Sequence, residues 1–312
     1  VSEDPRVSVV VAARNADRDI GRLLDALESQ SAAREDFELI VFDDGSTDRT
    51  AAVVEERGWP TVIRADRPMG APAARNLAVE RARAELIAVT DADCVPDRDW
   101  IAAGVRRFAA DASLERLGGA IEVTLPEPPT IAALVDAARF LDQERMVAMG
   151  FAISANFWVR RGAFLAAGGF NPELRPNAQE DAELGRVMSA RNSPIAYAPD
   201  VRVAHPARAT VRALAQKGYR LGRAHATLRR HARVGGVWLR PYFLRRKAFV
   251  PIGSWRRIGR LHARGIHPTR WQRARMVAVE TACISCAHVI GDLVGTARMG
   301  VPQAPRGRPA KR

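Results

Sequence analysis

Apolar and polar positions alternate along the first 200 residues in blocks that predict a series of strands and helices. RVSVVVAA (6–13) is β-branched and bounded by polar residues, the mark of a strand buried on both faces. DRDIGRLLDALESQ (17–30) spaces Ile20, Leu23, Leu24 and Leu27 along one helical face. FELIVFDDGSTDRT (37–50) reads as a second strand ending in acids and a turn, with Ser46 or Thr47 placed to cap the helix through Glu55–Glu56. TVIRA (61–65) is a short strand, GAPAARNLAVERARA (70–84) a helix opened by Gly and Pro, and ELIAVTDAD (85–93) a fourth strand. Strands alternating with helices of this length predict βαβ units, hence an α/β fold with a mainly parallel sheet flanked by helices.

The pattern continues with a helix over 97–111, a strand over 114–124 and one amphipathic helix over 130–149, carrying Ile131, Leu134, Val135, Ala138 and Leu141 on one face. A strand (152–161), a short helix stopped by glycines (162–170), a helix opening with acids that suit its dipole (178–191) and a strand (194–205) complete this part. From about 207 the character changes to a long basic helix, followed by a stretch interleaving Trp238, Tyr242, Phe243, Phe249, Trp255 and Trp271 with arginines. MVAVETACISCAHVIGDLVGTA (276–297) is apolar on average and nearly long enough to span a bilayer. Glu280, His288 and Asp292 are each costly at mid-membrane, so an interfacial or buried helix is expected rather than a span. The Pro- and Arg-rich tail, 302–312, is expected to be disordered. The implied organisation is an α/β domain over 1–206, with halves meeting near 112, then a basic, mainly helical region over 207–301 and the tail.

Composition excludes some classes. Of 312 residues, 47% are hydrophobic and 27% charged, as in a folded, mostly soluble protein. The opening VSEDPR is acidic and polar, so no secretion signal is expected. Three cysteines cannot build a disulfide framework and suggest a reducing compartment, and the pair in CISC (283–286) reads as two packing residues. The net charge of +13 conceals a split: residues 1–200 carry 23 basic and 33 acidic side chains, residues 201–312 carry 25 and 2. A segment with a net charge of +23 calls for a polyanionic partner, either nucleic acid or an anionic membrane surface.

Candidate chemistry gathers at strand ends, where parallel sheets bind ligands. Asp91–Ala92–Asp93 follows a hydrophobic strand, and two carboxylates that close are either solvated or share a cation. Hard oxygen ligands suit Mg²⁺ or Mn²⁺ bound with substrate phosphates. DDGSTD (43–48) combines strand-end carboxylates with a Gly and hydroxyls, suited to a nucleoside or to helix capping, and Arg75 is able to reach a phosphate.

VSVVVAARN, FELIVFDDGSTDRT, GAPAARNLAVERARAELIAVTDAD, NFWVRRGAFLAAGGF, QEDAELGRVM and YAPDVRVAH occur in this order, and together they resemble a family 2 glycosyltransferase of GT-A fold over about residues 5–225. The resemblance implies inverting transfer of a sugar from a nucleoside-diphosphate sugar to an acceptor, assisted by a divalent cation, Mg²⁺ or Mn²⁺. By position it implies that Ala13, Arg14, Asp44, Arg75, Asp91 and Ala92 bind the nucleotide sugar. Asp93 would ligate the metal, with His205 and Asp91 as further candidates. Glu180–Asp181 matches the family's catalytic pair, with Asp181 as general base. Gln216 to Arg220 is only loosely similar to the Q-x-x-R-W element of processive synthases, which leaves Gln216, Arg220 and Arg223 as phosphate or acceptor contacts. Arg14 replaces a frequent aromatic, and Asn192 stands where relatives often have Gly.

The expected function is therefore glycosyl transfer at the cytoplasmic face of the cell membrane, to a lipid-linked or cell-envelope glycan acceptor. The 207–301 region would lie on anionic lipid, its tryptophans at headgroup level. A nucleotidyltransferase or non-catalytic nucleotide-sugar binder of the same fold is the alternative. A nucleic-acid partner is not expected, because it leaves the acidic motifs of 1–200 unexplained.

Overall fold

A computed structural model describes residues 4–174, 179–231 and 250–299. Its eight strands are β1 (Val7–Ala13), β2 (Phe37–Asp43), β3 (Thr61–Arg64), β4 (Leu86–Asp91), β5 (Val95–Pro96), β6 (Arg116–Thr124), β7 (Asn156–Arg160) and β8 (Ile195–Pro206). They form one sheet in the order β3-β2-β1-β4-β7-β6-β8-β5. The β3-β2-β1-β4 half is parallel throughout. β7 runs antiparallel to both β4 and β6, whereas β6 and β8 pair in parallel.

Alternation along the strands explains the layers. Val7, Val9 and Val11 of β1 and Leu39 and Val41 of β2 face a core built with α1 (Ile20–Glu28) and α4 (Trp100–Ala110), two helices between which α2 (Thr50–Glu55) and α3 (Ala71–Arg81) fall in sequence. Val10, Ile40 and Phe42 point the other way, into a core shared with α3 and the later helices. Both faces of the sheet are therefore dry, as uninterrupted apolar runs require. Ile20, Leu23, Leu24 and Leu27 are fully buried along one side of α1, as their spacing predicts.

The apolar run over 130–149 is two helices, α5 (Ile131–Arg139) and α6 (Gln143–Ala148), and not the single helix its period suggests. Leu141 takes a left-handed φ of 59°, and the Asp142 side chain caps α6 by accepting from the Arg145 amide. Arg260 holds the same carboxylate from 118 residues away, at 2.6 Å. A second correction concerns α2. Asp48, not Ser46 or Thr47, accepts from the Thr50 amide and hydroxyl at its start, while Ser46 accepts from the Asn15 amide.

Next come α7 (Arg161–Ala166), α8 (Glu180–Ala190) and the basic helix α9 (Val211–His231). α10 (Val250–Ala263) precedes α11 (Arg270–Val279), which runs through a π-helical segment, Glu280–Ser285, into α12 (Cys286–Met299). Val123, Leu134 and Val135 share a third core with Leu214, Ile258, Leu261, Met276 and Ile284, so the C-terminal helices pack directly on the α5 region. Glu280 is buried and bonds both Arg139 and Arg257. Arg270–Val294 is long and apolar enough to cross a membrane, with Trp271, Val289, Ile290 and Leu293 exposed. Cys283 is half-buried but Cys286 is exposed, so CISC is not a pair of core residues. Trp238, Tyr242, Phe243, Phe249 and the tail lie outside the described residues.

Candidate active site

The carboxyl end of β4, the second turn of α3 and the first turn of α8 bring their charged side chains together, beside the paired ends of β1 and β2. Arg75 is the hub. Its side chain is 6% exposed, donates to Asp91 Oδ1 at 2.6 Å and lies 3.6 Å from Glu180 Oε1. Burial lowers the Arg75 pKa, but Asp91, Glu180 and Asp181 outweigh this and hold it above its ordinary value. Asn76, the next residue, clamps Phe170 by accepting from its amide and donating to its carbonyl. That clamp ties α3 to the segment leading into α8.

Asp91 and Asp93 differ, although one residue separates them. Burial raises the Asp91 carboxyl, and the charges of Arg75 and His205 more than offset this, so it sits below its usual range. Asp93 is pushed up by burial, drawn down by His205 and pushed up again by Asp91. His205 ends β8 almost fully buried, with Nε2 3.7 Å from Asp93 Oδ1. Its Nδ1 faces the Pro206 carbonyl at 2.8 Å, and a carbonyl only accepts. Nδ1 therefore donates to it, which leaves Nε2 on the side of Asp93, where the neutral tautomer would offer its lone pair to a cation. The ligand atoms of Asp93, Cys94 and His205 lie within 4.8 Å of one another, so carboxylate and imidazole fit a divalent cation. Cys94 is fully buried, its thiol turned to the Ala155 carbonyl and pushed well above the thiol range by burial and the two aspartates.

Asp181 lies in the first turn of α8 beside a small void lined by Phe157, Phe170, Leu184 and Met188. Burial and the Glu180 charge push its carboxyl up to about 7, partly offset by Arg75 and the Ser154 amide. Glu180 Oε2, Asp181 Oδ1 and Arg75 Nε and Nη1 are all buried without a hydrogen-bond partner among the described residues. Such a cluster of unmet polar atoms marks a place where a ligand completes the bonding.

The other sequence-derived candidates are less open. Asp44 is buried, and its two oxygens accept from the Met69 amide at 2.6 Å and the Gly70 amide at 2.9 Å. Asp43 accepts from the Ser46 amide. The side chains of Ala13 and Ala92 belong to the apolar core, leaving only their backbones near a ligand, and Arg14 is exposed on its loop. Two features escaped sequence reasoning. Asp136 of α5, almost fully buried, accepts from the Arg208 amide at 2.9 Å and guanidinium at 3.1 Å. Lys217 of α9 lies within electrostatic reach of Glu180 and Asp181, whose charges favour its ammonium form while burial disfavours it. A buried acid on an apolar helix face was the available signal for the first, and nothing local marks the second.

The family model described as Glycosyl transferase family 2 matches residues 8–166, just over half of the chain. The glycosyltransferase AglE of Haloferax volcanii is 25% identical over 260 residues, covering 82% of this chain and 81% of that protein. A validoxylamine A glucosyltransferase of Streptomyces hygroscopicus subsp. limoneus is 28% identical over 226 residues; the match covers 62% of this chain and only 50% of that relative. Among solved structures, the mannosyltransferase PcManGT of Pyrobaculum calidifontis, in complex with GDP-Man and Mn²⁺, is similar with a TM-score of 0.59 at 18% identity, over 96% of this chain and 90% of that one. That likeness shows the shared GT-A fold. The matched residues contain β1 to β4, α3 and the Asp91–Asp93 strand end, and on that match the chain belongs to glycosyl transferase family 2.

Proposed function

We propose that this transferase moves a sugar, with inversion, from a nucleoside-diphosphate sugar to an acceptor hydroxyl, with Asp181 as general base. The observation that carries the reading is the placement of Asp181 at the start of α8, buried next to Glu180, which Arg75 links to Asp91; burial and the Glu180 charge push its carboxyl up to about 7. A base works best when its pKa lies near the working pH, and an ordinary aspartate is too weak. Asp181 takes the acceptor proton as the hydroxyl oxygen bonds to the anomeric carbon. The bond from that carbon to the phosphate oxygen breaks on the opposite face, and its electron pair leaves with the nucleoside diphosphate. Arg75 keeps Asp91 ionised beside the nucleotide. Asp93 and His205 would hold a divalent cation, Mg²⁺ or Mn²⁺, which when bound neutralises the departing diphosphate as a Lewis acid. The GDP-Man and Mn²⁺ in the similar mannosyltransferase support this choice of donor and ion class.

The acceptor reading is a lipid-linked or cell-envelope glycan at the cytoplasmic membrane surface. Its support is the charge of +23 over residues 201–312 together with exposed Trp271, Val289, Ile290 and Leu293. A succinoglycan biosynthesis protein of Rhizobium meliloti, 38% identical over 91 residues, adds to it. A screen of nucleotide release from UDP-, GDP- and dTDP-sugars with Mg²⁺ or Mn²⁺ tests the donor reading; release from none of them contradicts it. Flotation with anionic vesicles tests the membrane reading, and binding that is lost in salt with no dependence on lipid contradicts that part.

A further inference from the structure

Arg116 opens β6 with an almost fully buried side chain whose hydrogen-bond partners, among the described residues, are all neutral oxygens. Its Nη1 donates to the Gly150 carbonyl at 2.9 Å and the Gly185 carbonyl at 3.3 Å. Its Nη2 donates to the Ser189 hydroxyl at 3.2 Å and to the Ser193 carbonyl. Burying a guanidinium among neutral oxygens is costly, so the position calls for a reason beyond packing. One side chain here ties β6 to the loop after α6 and to the carbonyl end of α8, the pole of a helix that favours a cation.

Asp181, Gly185 and Ser189 are spaced four residues apart and therefore share one face of α8. That face lies against the 150–154 loop at both ends. At one end, Ser189 donates to the Gly150 carbonyl at 3.1 Å, and a Cβ on Gly185 would lie 2.1 Å from the Phe151 Cβ. At the other end, the Ser154 amide bonds the Asp181 carboxylate. Gln143 stiffens the loop, accepting from the Ile153 amide at 2.7 Å and donating to the Asn156 carbonyl at 2.7 Å. Arg116, Gly185 and Asp181 also line the same small void, whose apolar walls include Phe157, Phe170 and Leu184. Apolar walls of this kind keep water out.

We propose that Arg116 is a positioning residue for the base: it fixes the rotation and depth of α8 against the 150–154 loop, and so keeps Asp181 in its dry setting. This rests on the reading of Asp181 as the base. The charged groups acting on Asp181 are Glu180 on its own helix, Arg75 from α3, Asp91 from β4 and Lys217 from α9. Arg116 bonds none of them, so its influence passes through the seating of the helix.

The test is the pH dependence of nucleotide release by the full chain, from whichever UDP-, GDP- or dTDP-sugar the screen above identifies, with calorimetric affinity for the matching diphosphate. Lysine in place of Arg116 lacks the forked donors needed to hold four acceptors. A looser α8 admits water, the upward push of burial on Asp181 relaxes, and a lower carboxyl is a weaker base. Arg116→Lys is therefore expected to be about tenfold slower than the parent above about pH 8, with its acidic limb about one pH unit lower. The two rates should converge toward about pH 5, where the weaker base is the more ionised, and diphosphate affinity should stay within about threefold. Gly185→Ala, which pushes α8 off Phe151, is expected to move the limb in the same direction. A folded Arg116→Lys enzyme with a parent-like limb overturns the positioning role, whether its rate is unchanged or uniformly lowered. Gly185→Ala decides by the same criterion if Arg116→Lys does not fold. A parent without an acidic limb near 7, or one whose limb survives in Asp181→Asn, contradicts the base reading itself, which is a separate failure, and the positioning role falls with it.

Discussion

Two acidic strand ends flank β1 in the sheet and do different work. At the end of β2, Asp43 and Asp44 spend their oxygens on the amides of Ser46, Met69 and Gly70, tying down the loop into α3. At the end of β4, Asp91 and Asp93 meet an arginine and a histidine, and beyond them are buried polar atoms with no hydrogen-bond partner among the described residues. In sequence, FDDGS and TDADC look alike, each a strand followed by acids. The difference lies in what the rest of the chain brings: backbone amides in one case, charged side chains in the other. A carboxylate saturated by amides is chiefly structural, whereas one facing cations and unmet polar atoms is poised for chemistry.

Substitutions separate the two ends. Asp93→Ala is expected to reduce transfer by about a thousandfold, the range seen on losing a principal electrostatic contact in an active site. Its melting temperature should hold or rise, because burial and Asp91 already disfavour its charge. A variant that keeps parent activity would erase the distinction. Asp44→Ala is expected to lose about 2–3 kcal/mol of stability, since two amides lose a charged acceptor. Denaturant unfolding reads this, and an unchanged midpoint would show that water replaces the carboxylate. Smallest is Arg107→Ala at the exposed Arg107–Asp200 pair, where the loss should stay under about 1 kcal/mol. A larger loss there would mean that ion pairs on this surface matter more than the contrast allows.

Much of this architecture was legible because both sheet faces are dry. The uninterrupted apolar runs in VSVVVAA and FELIVFD need no distant partner to be read, and neither does the i, i+3, i+4 spacing of α1. The break between α5 and α6 was hidden because the apolar period continues across Asp142, whose partner Arg260 lies far along the chain. The cap on α2 was misplaced by one or two residues among equivalent hydroxyls and acids, a choice made by the Asn15 loop pairing with Ser46 and Thr47. Of the candidate site, Arg75, Asp91, Asp93, Glu180, Asp181 and His205 were all named from their motif positions, and the fold gathers them into one charged cluster whose roles remain proposals. Asp136 and Lys217 were not visible, because each matters through a residue on another element.

The pH dependence of kcat/KM for sugar transfer, parent against Asp181→Asn, bears most directly on the central claim. With the Asp181 carboxyl held at about 7 by burial and Glu180, the base is ionised above that pH and protonated below it. Parent activity should therefore fall tenfold per pH unit below about 7 and level off above it. Asp181→Asn should be lower by about a thousandfold or more, lack that limb, and still bind the donor nucleotide. An Asp181→Asn enzyme that transfers at the parent rate, or that keeps the same acidic limb, would contradict the assignment of Asp181 as the base.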